Sequence, residues 1–166
     1  MNWKKLIIHV SIPVIGGMAS GYIANRVNEH KSTQEQYKKL KSPPGSPAPA
    51  VFPIVWTGLY TTMGVAHYIV KEEKNNSEAE SNYFYLQLGL NMLWSYLFFG
   101  LRLRGVALIE CFALLSAVLL TTYKFSKASK RAGKLMIPYA AWTAFATYLN
   151  GGTWYLNRSN SKLKEV

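Results

Sequence analysis

Three tryptophans, Trp56, Trp94 and Trp142, are the side chains best placed for chemistry, because each falls on a helical face that also carries hydroxyls or amides. Each residue of an α-helix turns by about 100°, so positions three, four, seven and eight apart share a face. In PYAAWTAFATYLN, residues 138–150, Tyr139, Thr143, Ala146 and Asn150 form one line with Thr147 beside it, and Trp142, Phe145 and Leu149 form the next. In QLGLNMLWSYLFFGLR, residues 87–102, one face carries Gln87, Asn91, Trp94, Ser95, Phe98 and Arg102. A third segment aligns Trp56, Tyr60, Met63 and His67. Polar groups are costly in hydrocarbon unless they find partners, so these faces turn inward. Two chemistries remain open. The tryptophans are packing aromatics whose indole N–H groups bond Asn91, Asn150 or Gln87, or they line an apolar pocket suited to a large, flat, mostly apolar ligand.

Other reactive residue types give less. Glu110 in GVALIECFALL is the one acidic residue inside an apolar run. Such a group is a functional candidate by default, although near the end of a run it can instead snorkel and pair with Arg102 or Arg104. His9 and His67 show no metal-ligand spacing and read as packing or interface residues. Cys111 is the single cysteine, so it forms no internal disulfide. There is no phosphate-cradling glycine loop, no nucleophile elbow and no carboxylate pair set for acid–base work. No catalytic residue, metal site or required cofactor is assigned.

The elements that position these faces follow from composition. The 166 residues are 49% hydrophobic, 14% aromatic and 16% charged, and mean hydropathy is near zero only because the charges are crowded into a few segments. A hydrocarbon core of about 30 Å needs roughly 20 apolar residues in helical form. Five runs qualify, at about 6–24, 51–70, 83–101, 106–123 and 135–156. The expectation is an all-α, single-domain, five-helix transmembrane bundle over residues 1–166, with membrane lipid as its surroundings. The first run is not read as a secretory signal, since it is long and followed by Arg26 and Asn28-Glu29-His30 without a small-residue cleavage pattern. Gly17 and Gly21 form a small-xxx-small pair that lets a neighbouring helix approach. The net charge of +11 is spread over every loop and both ends, which is how loops at a headgroup layer look and not how a nucleic-acid surface looks. With nine Lys and Arg on one side and ten, including Lys31, Lys162 and Lys164, on the other, the positive-inside rule gives no orientation.

Three ordered motifs together resemble the translocator protein family, also called tryptophan-rich sensory proteins or peripheral-type benzodiazepine receptors. Trp-x-x-Leu-Tyr is met by Trp56, Leu59 and Tyr60. Gln-x-x-x-Asn-x-x-Trp, then Phe-Phe-Gly-x-Arg, is met by Gln87, Asn91, Trp94, Phe98, Phe99, Gly100 and Arg102. Pro-Tyr-x-x-Trp-x-x-x-Ala-Thr-x-Leu-Asn is met by Pro138, Tyr139, Trp142, Ala146, Thr147, Leu149 and Asn150. The resemblance runs from about Ile12 to Asn157. It implies a bundle, often a homodimer, that binds porphyrins such as protoporphyrin IX and haem, sterols such as cholesterol, and benzodiazepine-like drugs. Positions matching the family's pocket are Gly21, Ala24, Phe52, Trp56, Asn91, Trp94, Leu114, Trp142, Ala146 and Leu149. A receptor or carrier is the first expectation. The alternatives are a light-dependent porphyrin-degrading enzyme and a structural partner in membrane complexes through Gly17 and Gly21. The stretch GVAHYIVKEE resembles the animal-type branch, which resides in the mitochondrial outer membrane, whereas bacterial members sit in the cell envelope.

The sequence departs from the family in named places. Gly45 and Ala50 stand where two loop tryptophans belong, Val106 replaces a further tryptophan, and Glu110 replaces an aspartate. The tyrosines of the family's sterol-contact motif are Gly151 and Gly152 here, leaving a shifted match in Leu149, Tyr155 and Arg158.

Overall fold

A computed structural model describes residues 2–27, 33–75 and 77–159. Asn28, Glu29, His30, Lys31, Lys162 and Lys164 lie outside the described residues. Those described form six α-helices and no strand: α1 Trp3–Val27, α2 Thr33–Lys39, α3 Val51–Glu73, α4 Glu78–Ser95, α5 Arg104–Ala128 and α6 Lys130–Asn157. Each of the five expected runs falls on a long helix. The count of five is corrected by α2, a seven-residue helix in the first long loop with too short an apolar pattern to stand out in the sequence. The third run is corrected too: its α-helix ends at Ser95 and continues as a π turn over Tyr96–Gly100, closed by Leu101 N donating to Tyr96 O at 2.8 Å. Of the long helices, α1 and α5 have the length and composition to cross a membrane, while α3, α4 and α6 carry more polar groups on their inner faces.

Local sequence sets the helix ends. Pro53 sits in the first turn of α3, where no intrahelical donor is needed. Glu78 and Glu80 open α4 at the positive end of its dipole. Ser129 alone links α5 to α6, its Oγ accepting from Ala132 N at 3.4 Å as an N-cap. That hairpin is tight because Gly133 has no Cβ; one there would lie 2.7 Å from Ser126 Cα.

The core lies between α3, α4, α5 and α6, around Met63, Phe84, Leu88, Val118, Phe125 and Met136. A polar ladder crosses it. Tyr60 donates to Asn91 Oδ1 at 2.6 Å, Asn91 Nδ2 donates to Tyr139 Oη at 3.4 Å, and Tyr139 donates to Gln87 Oε1 at 2.7 Å. All four side chains are buried, so α3, α4 and α6 are joined through satisfied groups. Thr143 and Thr147 instead bond carbonyls of their own helix, Tyr139 O at 2.8 Å and Thr143 O at 2.9 Å. The stripe read from PYAAWTAFATYLN is therefore interior, but only Tyr139 and Asn150 use it to reach other helices.

The outer surface is apolar. Ile8, Ile15 and Met18 on α1, Ile54 on α3, Ile109 and Phe112 on α5 and Ile137 on α6 are all exposed, a girdle larger than water tolerates and suited to lipid.

Candidate functional site

The long helices close on one another at one end and part at the other. At the closed end His9 Nδ1 lies 3.2 Å from His67 Nδ1, and His67 Nε2 lies 3.0 Å from Ser81 Oγ, which donates to Ser77 O at 2.9 Å. His67 also stacks on Phe84, with centroids 4.2 Å apart. The histidines are thus interface residues, as read, but bonded to each other across α1 and α3. Outside the membrane-length segments, Lys74 Nζ donates to Glu80 Oε1 at 2.7 Å. Burial alone would raise the Glu80 carboxyl; the bond from Lys74, with Lys124 nearby, holds it below the ordinary carboxylate value.

At the other end a cavity of about 520 Å³ opens between α1, α2, α3, α4 and α6. Its floor is the polar ladder, through Tyr60 and Asn91. Its walls are aromatic: Phe52 and Trp56 from α3, Trp94 from α4, and both Phe98 and Phe99 from the π turn. Phe98 and Phe99 are consecutive residues of the π turn and pack edge to face at 4.8 Å. Tyr37 of α2 covers the top, edge-on to Phe52 at 5.2 Å. The lining includes no Asp, Glu, Lys, Arg or His among the described residues.

Of the ten positions singled out for a pocket, Gly21, Ala24, Phe52, Trp56, Asn91, Trp94, Ala146 and Leu149 line this cavity. Leu114 and Trp142 do not. Leu114 is buried in the core between the helices. Trp142 lies one turn away, against Phe52 at 6.1 Å and Phe145 at 5.6 Å, and reaches the cavity only by supporting Phe52. The expected amide partners of the indoles are corrected: Asn91 and Gln87 bond tyrosines, and Asn150 Nδ2 donates to Cys111 Sγ at 3.4 Å. The buried Nε1 atoms of Trp94 and Trp142, and Asn150 Oδ1, are left without a hydrogen-bond partner. Trp94 and Asn150 belong to the cavity wall, but their Nε1 and Oδ1 atoms are buried beneath its surface.

Glu110 is also corrected. It is 7% exposed, neither carboxyl oxygen has a hydrogen-bond partner, and it makes no ion pair with Arg102 or Arg104 among the described residues. Gly17 and Gly21 part company as well. A Cβ on Gly17 would collide with the Tyr60 ring, whereas one on Gly21 would meet nothing within 4 Å. Gly17 seats α1 on α3 within one chain, and Gly21 is cavity wall. The Leu149, Tyr155 and Arg158 match does not form one face: Leu149 is buried in the cavity wall while Tyr155 is exposed with the Arg158 guanidinium 4.0 Å above its ring. Six residues along a helix turn the chain by about 600°, well past one face.

Sequence reading missed the strap that closes the loop end. Asn157 Nδ2 donates to Lys41 O at 2.9 Å while Lys41 N donates to Asn157 Oδ1 at 3.1 Å, and Tyr148 donates to Pro44 O at 3.1 Å. Gly152 belongs to this strap, since a Cβ there would lie 2.6 Å from Pro43 Cβ. Gly45, where the family places a tryptophan, sits at φ +80°, a conformation that favours glycine.

Lipid-length apolar helices wrapped around an aromatic hollow define a class, a helical membrane protein with a chamber inside its bundle. The chain belongs to the TspO/MBR family, which it matches over residues 9–156. It is 36% identical to the tryptophan-rich protein TspO of Archaeoglobus fulgidus over 162 residues, 95% of this chain and 99% of that protein. It is 34% identical to the translocator protein of Homo sapiens over 122 residues, 71% of this chain and 72% of that one. It is 33% identical to the tryptophan-rich sensory protein of Cereibacter sphaeroides over 123 residues, 74% of this chain and 77% of that one.

Proposed function

We propose that this membrane protein is a receptor or carrier that binds flat, mostly apolar molecules in its chamber: porphyrins such as protoporphyrin IX and haem first, then sterols such as cholesterol and benzodiazepine-like drugs. The observation that carries the reading is the cavity of about 520 Å³ walled by Phe52, Trp56, Trp94, Phe98 and Phe99 and floored by Tyr60 and Asn91. Aromatic faces stack on a flat ring, and such a pocket suits a large, mostly apolar molecule. A wall without charged side chains cannot compensate buried carboxylates, so a porphyrin's acid groups stay at the polar loop-side rim near Asn25, Thr33 and Gln34. The same wall offers no side chain suited to acid–base work at neutral pH, which supports binding over catalysis. Five membrane crossings, by α1, α3, α4 with its π turn, α5 and α6, go with this reading, and a homodimer is compatible with it. Membrane residence fits the archaeal, bacterial and mammalian relatives alike; the mitochondrial outer membrane is proposed on the animal-like GVAHYIVKEE stretch and is tested by cell fractionation.

The test is titration of the protein in phospholipid vesicles with protoporphyrin IX, read by tryptophan fluorescence. Saturable quenching, weakened by Trp94→Leu in folded protein, is expected. Quenching that rises without saturation, or that Trp94→Leu leaves unchanged, overturns the reading.

A further inference from the structure

We infer that the chamber opens sideways, through the seam between α1 and α3, and that its ligand arrives as an amphiphile already dissolved in lipid. This rests on reading the chamber as a ligand site. The two helices run antiparallel and close tightly over half their length. A Cβ on Gly64 would lie 2.7 Å from both His9 O and Val10 Cα, and a Cβ on Gly17 would strike Tyr60. One turn further along α1 the seam parts, and the space beside Gly21 is empty to 4 Å.

Here the cavity wall includes Met18 and Tyr22 of α1 and Pro53 and Thr57 of α3, and all four are exposed. A residue that both lines a hollow and reaches the outside stands at its mouth. Ile15 and Ile23 on one lip and Ile54 on the other are exposed apolar chains, the flank a bilayer interior favours. The threonine hydroxyls of the α3 lip are satisfied within the helix, Thr57 donating to Pro53 O at 2.8 Å and Thr61 to Thr57 O at 2.8 Å, and on the α1 lip the Tyr22 hydroxyl accepts from Arg26 Nε at 2.8 Å. A charged solute would have to shed its water to cross such a lip, whereas a molecule partitioned into lipid has already done so. The loop side has exposed lining too, in Asn25 and Gln34, but that rim is polar, and α2 with Tyr37 on Phe52 and the Asn157 strap narrow it.

The route is tested with a thiol inside the chamber. Full-length protein carrying Gly21→Cys in a Cys111→Ala background is reconstituted in phosphatidylcholine vesicles and labelled with a lipid-partitioning maleimide. Adding Thr57→Trp, a plug at the seam, is expected to slow labelling about tenfold, and Gln34→Trp, a plug at the loop side, to leave it unchanged. Met18→Trp is the second seam plug should Thr57→Trp lose helical content. Slowing by Gln34→Trp instead, or by neither plug, overturns the lateral route. Protoporphyrin IX titration of the same proteins is read separately: loss of saturable quenching rejects the proposed ligand, while the labelling rates still report the route.

Discussion

The two ends of the bundle are built from the same helices and differ in what fills the seam between them. At the closed end, between Gly64 and His9–Val10, a missing Cβ lets two backbones meet, and the histidine pair and the Phe84–Phe125 stack fill the remaining space. At the open end, Gly21 leaves a Cβ-sized space that nothing enters. Glycine therefore does opposite work along one seam: Gly64 and Gly17 admit the facing helix, and Gly21 admits a hollow. Small residues in a membrane helix are usually read as contact sites; here the contact reading holds for Gly17 and Gly64 and fails for Gly21.

The comparison can be broken most sharply at its closed end. Gly64→Val drives a side chain into the α1 backbone, which cannot yield as a side chain would, and is expected to cost about 3 kcal/mol, measured by denaturant unfolding in detergent micelles. Asn91→Ala at the boundary between the ends leaves the Tyr60 hydroxyl without its acceptor and removes a donor from Tyr139; a loss of about 2 kcal/mol is expected by the same measurement. A smaller effect belongs to Glu80. Its folded carboxyl titrates below the ordinary value, so its contribution is present above that ordinary value and is lost as pH falls through the lowered one. With Lys74 42% exposed, acidification should remove less than about 1 kcal/mol through this pair, and Glu80→Gln should flatten that part of the pH profile. Gly21→Val sharpens the contrast from the other side: within about 0.5 kcal/mol of wild type in stability, yet with weakened saturable quenching by protoporphyrin IX, because the new methyls occupy chamber space.

The long helices were legible because apolar residues recur at helical spacing, and the inward faces because polar residues break that pattern on one side only. TQEQYKK in α2 has no such pattern; only its position over the cavity, through Tyr37, makes it matter. The indole partners were misread because a sequence names donors and acceptors without ranking them. Asn91 and Gln87 each accept from a tyrosine hydroxyl instead, at 2.6 and 2.7 Å. Leu114 is expected in the pocket by resemblance alone and Trp142 by helical spacing as well, and both pack one layer behind it. The Asn157–Lys41 strap joins residues 116 apart, beyond the reach of any periodicity.

The short chain of bonds at the closed end also has a direction. Ser81 gives its only proton to Ser77 O, so it can only accept from His67 Nε2, which fixes the proton on that nitrogen and leaves His67 Nδ1 as a lone pair. His9 then donates through Nδ1, and when neutral it keeps its own Nε2 unprotonated. Helix α1 is held to α3 by a latch with a single working tautomer on each ring. Nitrogen NMR should resolve His67 as the Nε2–H form and His9 as the Nδ1–H form, and Ser81→Ala should let that order scramble.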